Sequence, residues 1–267
     1  MKFFELSSGC KFHRNPTTQK CKITLFGSWK RRFKQDNIPL QFLQITDHLE
    51  ILGVKLYENW RTSQRENGLK IVQKIKLVAD RWKGGRFYDF LLRPHNVNTY
   101  LFSNIWYVAS VIDLQLGHLD DIQKKGNQYI YSDCFLKPQS VANYLKRKDL
   151  GLGLVHVRSK ALALLIKNIL SEANSQRNCY LRAVIDYYCL KMDLDSVPVR
   201  PSFLSDRLID RICFVLEKCN RFETKDIYEV LLFDEFQLDE GFKYKVVLDN
   251  PNLNVENAVT LVNSKLL

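Results

Sequence analysis

Apolar residues that recur every three or four positions constrain this chain more than any other feature. Ile71, Ile75, Val78 and Trp82 stand at i, i+4, i+7 and i+11, a stripe that a helix buries along one side. Lys70, Lys74, Lys76, Arg81 and Lys83 occupy much of the remaining surface of that segment, 62–83, and Gly84-Gly85 follows as a C-terminal stop. Leu101, Ile105, Val108 and Ile112 repeat the pattern over 96–114. Further helices are expected at 159–172, 205–219 and 224–232, with a last one begun near Val255. Residues 132–148 are polar and interrupted by Pro138, and 173–201 read as variable, with Pro198 and Pro201 marking a boundary. Near the N-terminus the period shortens. Residues 20–26 read as a short strand closed by Gly27-Ser28, and 49–56 as a strand or hairpin with Gly53 as a bulge or turn. The expected fold class is mainly α with a small β element (α+β). No internal repeat is present, and 267 residues suffice for one or two domains.

Charge divides the chain unevenly. Residues 1–100 hold 19 Lys and Arg against 8 Asp and Glu, which accounts for the whole net charge of +11, while residues 101–267 hold 21 of each. A polyanion-facing surface on the first third, beside a neutral packing part, fits that segregation. Its densest run is Lys30-Arg31-Arg32-Phe33-Lys34, next to Trp29, an aromatic able to stack on bases or to anchor a core. A basic run can also serve solubility alone.

Several function classes drop out. The longest apolar stretches, around 100–112 and 161–170, fall short of the ~18–20 residues that cross a bilayer. The first residues carry Lys2 and Glu5 around only Phe3 and Phe4, without the apolar core of a signal peptide. Seven cysteines without a Cys-x-x-Cys spacing argue against a disulfide framework or a zinc ribbon, so reduced thiols in an intracellular protein, nuclear or cytoplasmic, are expected. The histidines 13, 48, 95, 118 and 156 are scattered, and no metal or cofactor is expected. No phosphate-cradling glycine loop and no Gly-x-Ser-x-Gly occurs. His118-Leu119-Asp120-Asp121 imitates the paired-aspartate turn that holds two metal ions in polymerases. Such a turn needs an apolar strand on each side. Here 122–127 reads as a polar loop, so the pair is expected in a solvated turn, and Phe233-Asp234-Glu235 is a similarly weak cluster. An enzyme is not expected.

Taken in order, the basic, aromatic and glycine-containing segments resemble the C-terminal part of a LINE-type (non-LTR retrotransposon) reverse transcriptase. Ser8-Gly9-Cys10-Lys11-Phe12 is similar to the family's Ser-Gly-x-Lys-apolar segment. Lys20-Cys21-Lys22, followed by Gly27-Ser28-Trp29, resembles its Lys-Ser-Lys…Leu-Gly-Ser-Trp element. Ile38-Pro39-Leu40 and Ile51-Leu52-Gly53-Val54 resemble the Ile-Pro and Ile-Leu-Gly-Val/Ile elements that come next. Asn59-Trp60, Arg81-Trp82 and Ile105-Trp106-Tyr107-Val108-Ala109 look like landmarks of the thumb. Leu150-Gly151-Leu152-Gly153-Leu154, Lys160-Ala161-Leu162-Ala163-Leu164 and Lys225-Asp226-Ile227-Tyr228 resemble motifs further on. The likeness spans roughly residues 5–235. It departs from the family in a longer stretch between Lys11 and Lys20, in His13 where Asn is common, in a Tyr129-Ile130-Tyr131 reduced from an aromatic-Ile-Trp element, and in a displaced glycine at 151–153.

The resemblance implies a palm-tail segment at 1–57, a helical thumb-like region at 58–118, a post-thumb connecting region at 119–200 and a C-terminal helical segment at 201–267. It implies a chain that begins inside the palm, downstream of the catalytic aspartates, and therefore without polymerase activity of its own. Lys20 matches a palm lysine, and residues 69–83 match part of a thumb that holds a template–primer duplex by its backbone. RNA or an RNA–DNA duplex is the expected partner. The carriers expected for it are Lys20, Lys22, Lys30, Arg31, Arg32, Lys34, Lys70, Lys74, Lys83 and Arg86. Two other readings stand beside this one. Residues 101–267 would serve as a helical protein–protein interaction module, or the chain would be a relic without selected function.

Overall fold

The computed structural model describes residues 21–25, 27, 43–82, 92–131, 140–147, 151–175, 177–190, 199–219 and 226–236. Two compact units divide the chain, residues 1–67 and 68–267. The fold is mainly helical with a small β part, as the periodicities require.

In the first unit, β1 (Cys21–Thr24) and β2 (Leu43–Thr46) pair in parallel, with Cys21 opposite Leu43. β2 has no counterpart among the sequence expectations. β3 (His48–Ile51) and β4 (Val54–Tyr57) form an antiparallel hairpin. Its turn is Leu52-Gly53, with φ of 48° and 85°, the left-handed pair that a two-residue hairpin turn of matching twist demands. Glycine adopts this backbone without penalty and Leu52 does not. The hydroxyls of Thr24 and Thr46 both donate to the carbonyl of His48, each at 2.8 Å, tying the hairpin to the parallel pair.

α1 (Trp60–Trp82) contains the division between the units. Its expected stripe is buried at Ile71 and Ile75, with Val78 and Trp82 partly covered, and Ala79 is buried beside it. The Gly84-Gly85 stop expected after it lies outside the described residues.

The second unit is a helical stack. The stripe expected over 96–114 forms α2 (Arg93–Asn96), a π-helical stretch (Val97–Phe102) and α3 (Ser103–Ala109), one run whose middle is widened by a residue. Ile112 and Leu114 lie beyond the helix and are still buried. α4 (Leu116–Ile130) corrects the expectation of a turn at 118–121 and a polar loop at 122–127. Leu119, Ile122, Gly126 and Ile130 make a narrow buried stripe, and Asp120 and Asp121 sit exposed on the helix, solvated but not in a turn.

α5 (Val157–Asn174) is the hub, packing against α3, α4, α6 (Cys179–Leu190) and α8 (Ile227–Phe236). Its Ala161-Leu162-Ala163-Leu164-Leu165-Ile166 run is apolar on most sides, the composition of a helix with neighbours all round. α6 occupies part of 173–201, which reads as variable from sequence. Leu181, Val184 and Ile185 are its buried face. α7 (Asp206–Cys219) fits the segment expected at 205–219, and Leu208, Ile212 and Val215 join Ile166, Val184 and Leu204 in the apolar core.

Cys189 of α6 and Cys213 of α7 are joined by a disulfide with their Cα atoms 4.9 Å apart, which corrects the expectation of reduced thiols throughout. An odd cysteine count and the lack of a close pair argue against local bridges only. Packing of α6 on α7 brings together residues 24 positions apart. Among the described residues, no helix is long and apolar enough to cross a membrane.

Candidate nucleic-acid interface

α1 sorts its side chains by helical spacing. Relative to the buried Ile71, the residues 70, 74, 77 and 81 fall on one flank, spaced i, i+4, i+7 and i+11. Lys70, Lys74 and Arg81 are exposed there, with Leu77 exposed among them. Burial of Ile71 and Ile75 fixes the helix's rotation, and with it the direction of this basic row. Of the ten expected carriers, Lys70 and Lys74 are thus brought onto one exposed flank, and Arg81 belongs beside them. Lys22 lies in β1, opposite Gln44 of β2. Lys20, Lys30, Arg31, Arg32, Lys34, Lys83 and Arg86 lie outside the described residues.

Lys146, Arg158 and Arg211 pair with Glu229, Glu235 and Asp234, all on α8. The Arg158–Glu235 contact is 2.7 Å, and Lys160 stands over the Tyr228 ring of the same helix, 5.4 Å from its centroid. These salt bridges, with buried Leu231 and Leu232, hold α8 to the body. Exposed pairs of this kind each contribute about 0.2–1 kcal/mol.

No family model matches the chain, and no curated protein and no solved structure matches it either.

Aromatic side chains cluster where α1 ends. The Trp82 ring lies 5.6 Å from that of Tyr100, nearly perpendicular at 81°, and 5.8 Å from that of Tyr129 at 59°. Arg81 directly precedes Trp82, and Lys125 lies one turn before Tyr129 on α4. Sequence reasoning passed over Tyr100. Its signal was its place off the Leu101/Ile105/Val108/Ile112 stripe, where an aromatic has no core to enter.

The other polar cluster is structural. His156 precedes α5, its Nδ1 2.8 Å from the Ser159 hydroxyl and accepting from the Ser159 N–H. Its backbone N–H donates to the Tyr228 hydroxyl at 3.1 Å, and rings of Tyr144 and Phe236 enclose it at 4.9 and 5.1 Å. Burial pushes the imidazole down to about 4, against the opposing pull of Glu235. The same burial pushes the Tyr228 phenol up to about 12. A neutral histidine that caps a helix and is walled in by rings has no route to a substrate. Among the described residues no group of three or more His, Cys, Asp and Glu could hold a metal ion. A shallow depression in the first unit is lined by Asp47, Tyr57, Glu58, Asn59 and Thr62, an acidic lining unsuited to a polyanion.

Proposed function

We propose that this chain is a stretch of a non-LTR reverse transcriptase, spanning palm tail, thumb and post-thumb, that binds an RNA–DNA duplex through its phosphate backbone and performs no catalysis itself. The exposed row of Lys70, Lys74 and Arg81, flanking a buried apolar face on the same helix, is the observation that carries the reading. It belongs to the first 100 residues, which hold the entire positive excess. Cations on a rigid helix at successive turns can follow a phosphate backbone without reading bases, so binding is sequence-independent and falls as counterions compete.

The test is the affinity of the purified chain for a labelled RNA–DNA duplex across a salt series, with circular dichroism on the same samples. A steep fall of log affinity with log salt is expected. Replacing Lys70, Lys74 and Arg81 together with Ser should flatten that slope by about 2–3, at about 0.9 for each phosphate no longer neutralised. Replacing Lys30, Arg31, Arg32 and Lys34 with Ser tests the N-terminal run in the same way. Unchanged affinity in both variants, with helical spectra intact, would refute the reading.

A further inference from the structure

We propose that the Tyr100 ring, held edge-on by Trp82, is a stacking platform for an unpaired base, so that the chain prefers a duplex carrying a single-stranded extension. The proposal rests on the nucleic-acid reading above and adds to it the side chains that meet bases.

Tyr100 sits among buried neighbours and is itself 57% exposed. Val97, Leu101 and Phe102, on the same π-helical stretch, are almost wholly enclosed. The widened turn fits three large side chains into the core and leaves the tyrosine outside. Exposed aromatics usually rotate freely. This one is fixed at 5.6 Å by the nearly perpendicular Trp82, which Tyr129 supports from α4. A ring fixed in orientation and open to solvent loses little freedom when a base stacks on it.

The exposed face continues. Tyr107 is 46% exposed, seven residues beyond Tyr100, with Val111 exposed one turn further on. Between the tyrosines, the Asn104 amide donates to the Tyr100 carbonyl at 2.7 Å. A buried apolar partner could also cover such a row. Charge favours nucleic acid. Arg81 and Lys125 border the aromatic group by their chain positions, and Lys74 is two turns before Arg81 on the same flank. Of the acids nearest in sequence, Asp80 lies on the side of α1 opposite Ile71, and Asp121 is two turns before Tyr129. A paired duplex offers phosphates and groove edges, whereas a ring face needs the face of an unstacked base.

The experiment compares blunt RNA–DNA duplexes with duplexes carrying an unpaired extension of about five nucleotides, with 2-aminopurine in the extension as a stacking reporter. The full chain is expected to bind the extended duplex about tenfold more tightly than the blunt one, with quenching of the reporter. Tyr100→Ala should bring that ratio to about one and abolish the quenching, and Tyr100→Trp should retain both. A ratio and a quench that survive Tyr100→Ala overturn the proposal, as does a wild-type ratio of one. A Tyr100→Ala variant that alters sedimentation and not the ratio assigns the face to a second protein and also overturns it. The underlying reading is tested separately, because its failure is a blunt-duplex affinity that ignores both the Lys70, Lys74 and Arg81 row and the Lys30, Arg31, Arg32 and Lys34 run.

Discussion

Asn67 of α1 and Lys55 of β4 exchange two hydrogen bonds, side chain to backbone, as if the helix were a third strand of the hairpin. The Lys55 N–H donates to Asn67 Oδ1 at 3.0 Å, and Asn67 Nδ2 donates back to the Lys55 carbonyl at 2.6 Å. One turn earlier, Ser63 Oγ accepts from the Tyr57 N–H at 2.8 Å. The spacings agree because four helical residues rise about 6 Å and two strand residues about 6.6 Å. Two polar residues in a buried stripe thus cover the open edge of a hairpin.

Replacing Asn67 with Ala should therefore leave both backbone groups of Lys55 without partners. Asn67 is 1% exposed, so water does not substitute for it. The expected loss is about 1–3 kcal/mol for each group left unsatisfied. Asn67→Asp keeps the acceptor but sets a buried carboxylate oxygen against the carbonyls of Lys55 and Ser63, and should cost at least as much as Ala. Hydrogen exchange at the Lys55 amide reads the effect directly. Equal protection in wild type and Asn67→Ala would show that the helix does not seal this edge.

Those polar positions show where a sequence is readable and where it stops. Stripes of Ile and Leu disclose α1, α5 and α7 because the residues that pack are also the residues that signal. α4 hid because Gly126 stands in its stripe, and glycine signals an end to a helix unless its neighbour in space is known. α6 hid behind the polar run Asn174–Asn178 before it and the prolines after it, although Leu181, Val184 and Ile185 have helical spacing. The disulfide was illegible for another reason, since pairing depends on which helices touch. On the exposed flank of α1, Lys70 and Lys74 were readable from charge. Tyr100 was legible only as an aromatic off the Leu101/Ile105/Val108/Ile112 stripe, and its contact with Trp82 depends on which elements touch.

Stability should depend on pH through His156. Its ring is pushed from 6.5 down to about 4 by burial, so the unfolded chain takes up a proton before the folded one does. The contribution is complete above pH about 6.5, declines as pH falls towards about 4, and changes no further below that. The shift corresponds to a loss on the order of 3 kcal/mol across the window. Urea denaturation at pH 7 and pH 4.5 should show the decline, and His156→Gln should show a smaller one. Identical pH dependence in the two proteins would place the titrating groups elsewhere.

Reduction should loosen the junction of α6 and α7. The Cys189–Cys213 bridge closes a segment of 24 residues, and chain entropy alone assigns about 3 kcal/mol to a loop of that size. Dithiothreitol should lower the urea midpoint of the wild type and leave that of the Cys189→Ser/Cys213→Ser double variant unmoved. A wild-type midpoint indifferent to reductant would mean the two thiols are not bonded in solution.

Gly126 should resist substitution even by alanine. In an exposed helix Gly→Ala stabilises by about 1 kcal/mol, because glycine has more backbone freedom to lose. Here a Cβ would stand 2.5 Å from Cζ of Phe102 and 3.1 Å from Cγ1 of Val97. Phe102 is 0% exposed, so its ring has no empty space to swing into, and α4 would have to move away from the π-helical stretch. Overpacking of this kind costs about 1–3 kcal/mol, which outweighs the gain in helix propensity. Gly126→Ala should therefore lower the denaturation midpoint, and adding Phe102→Leu, which shortens the obstructing side chain, should recover part of the deficit. A midpoint raised by Gly126→Ala alone would mean that α4 does not approach Phe102 this closely.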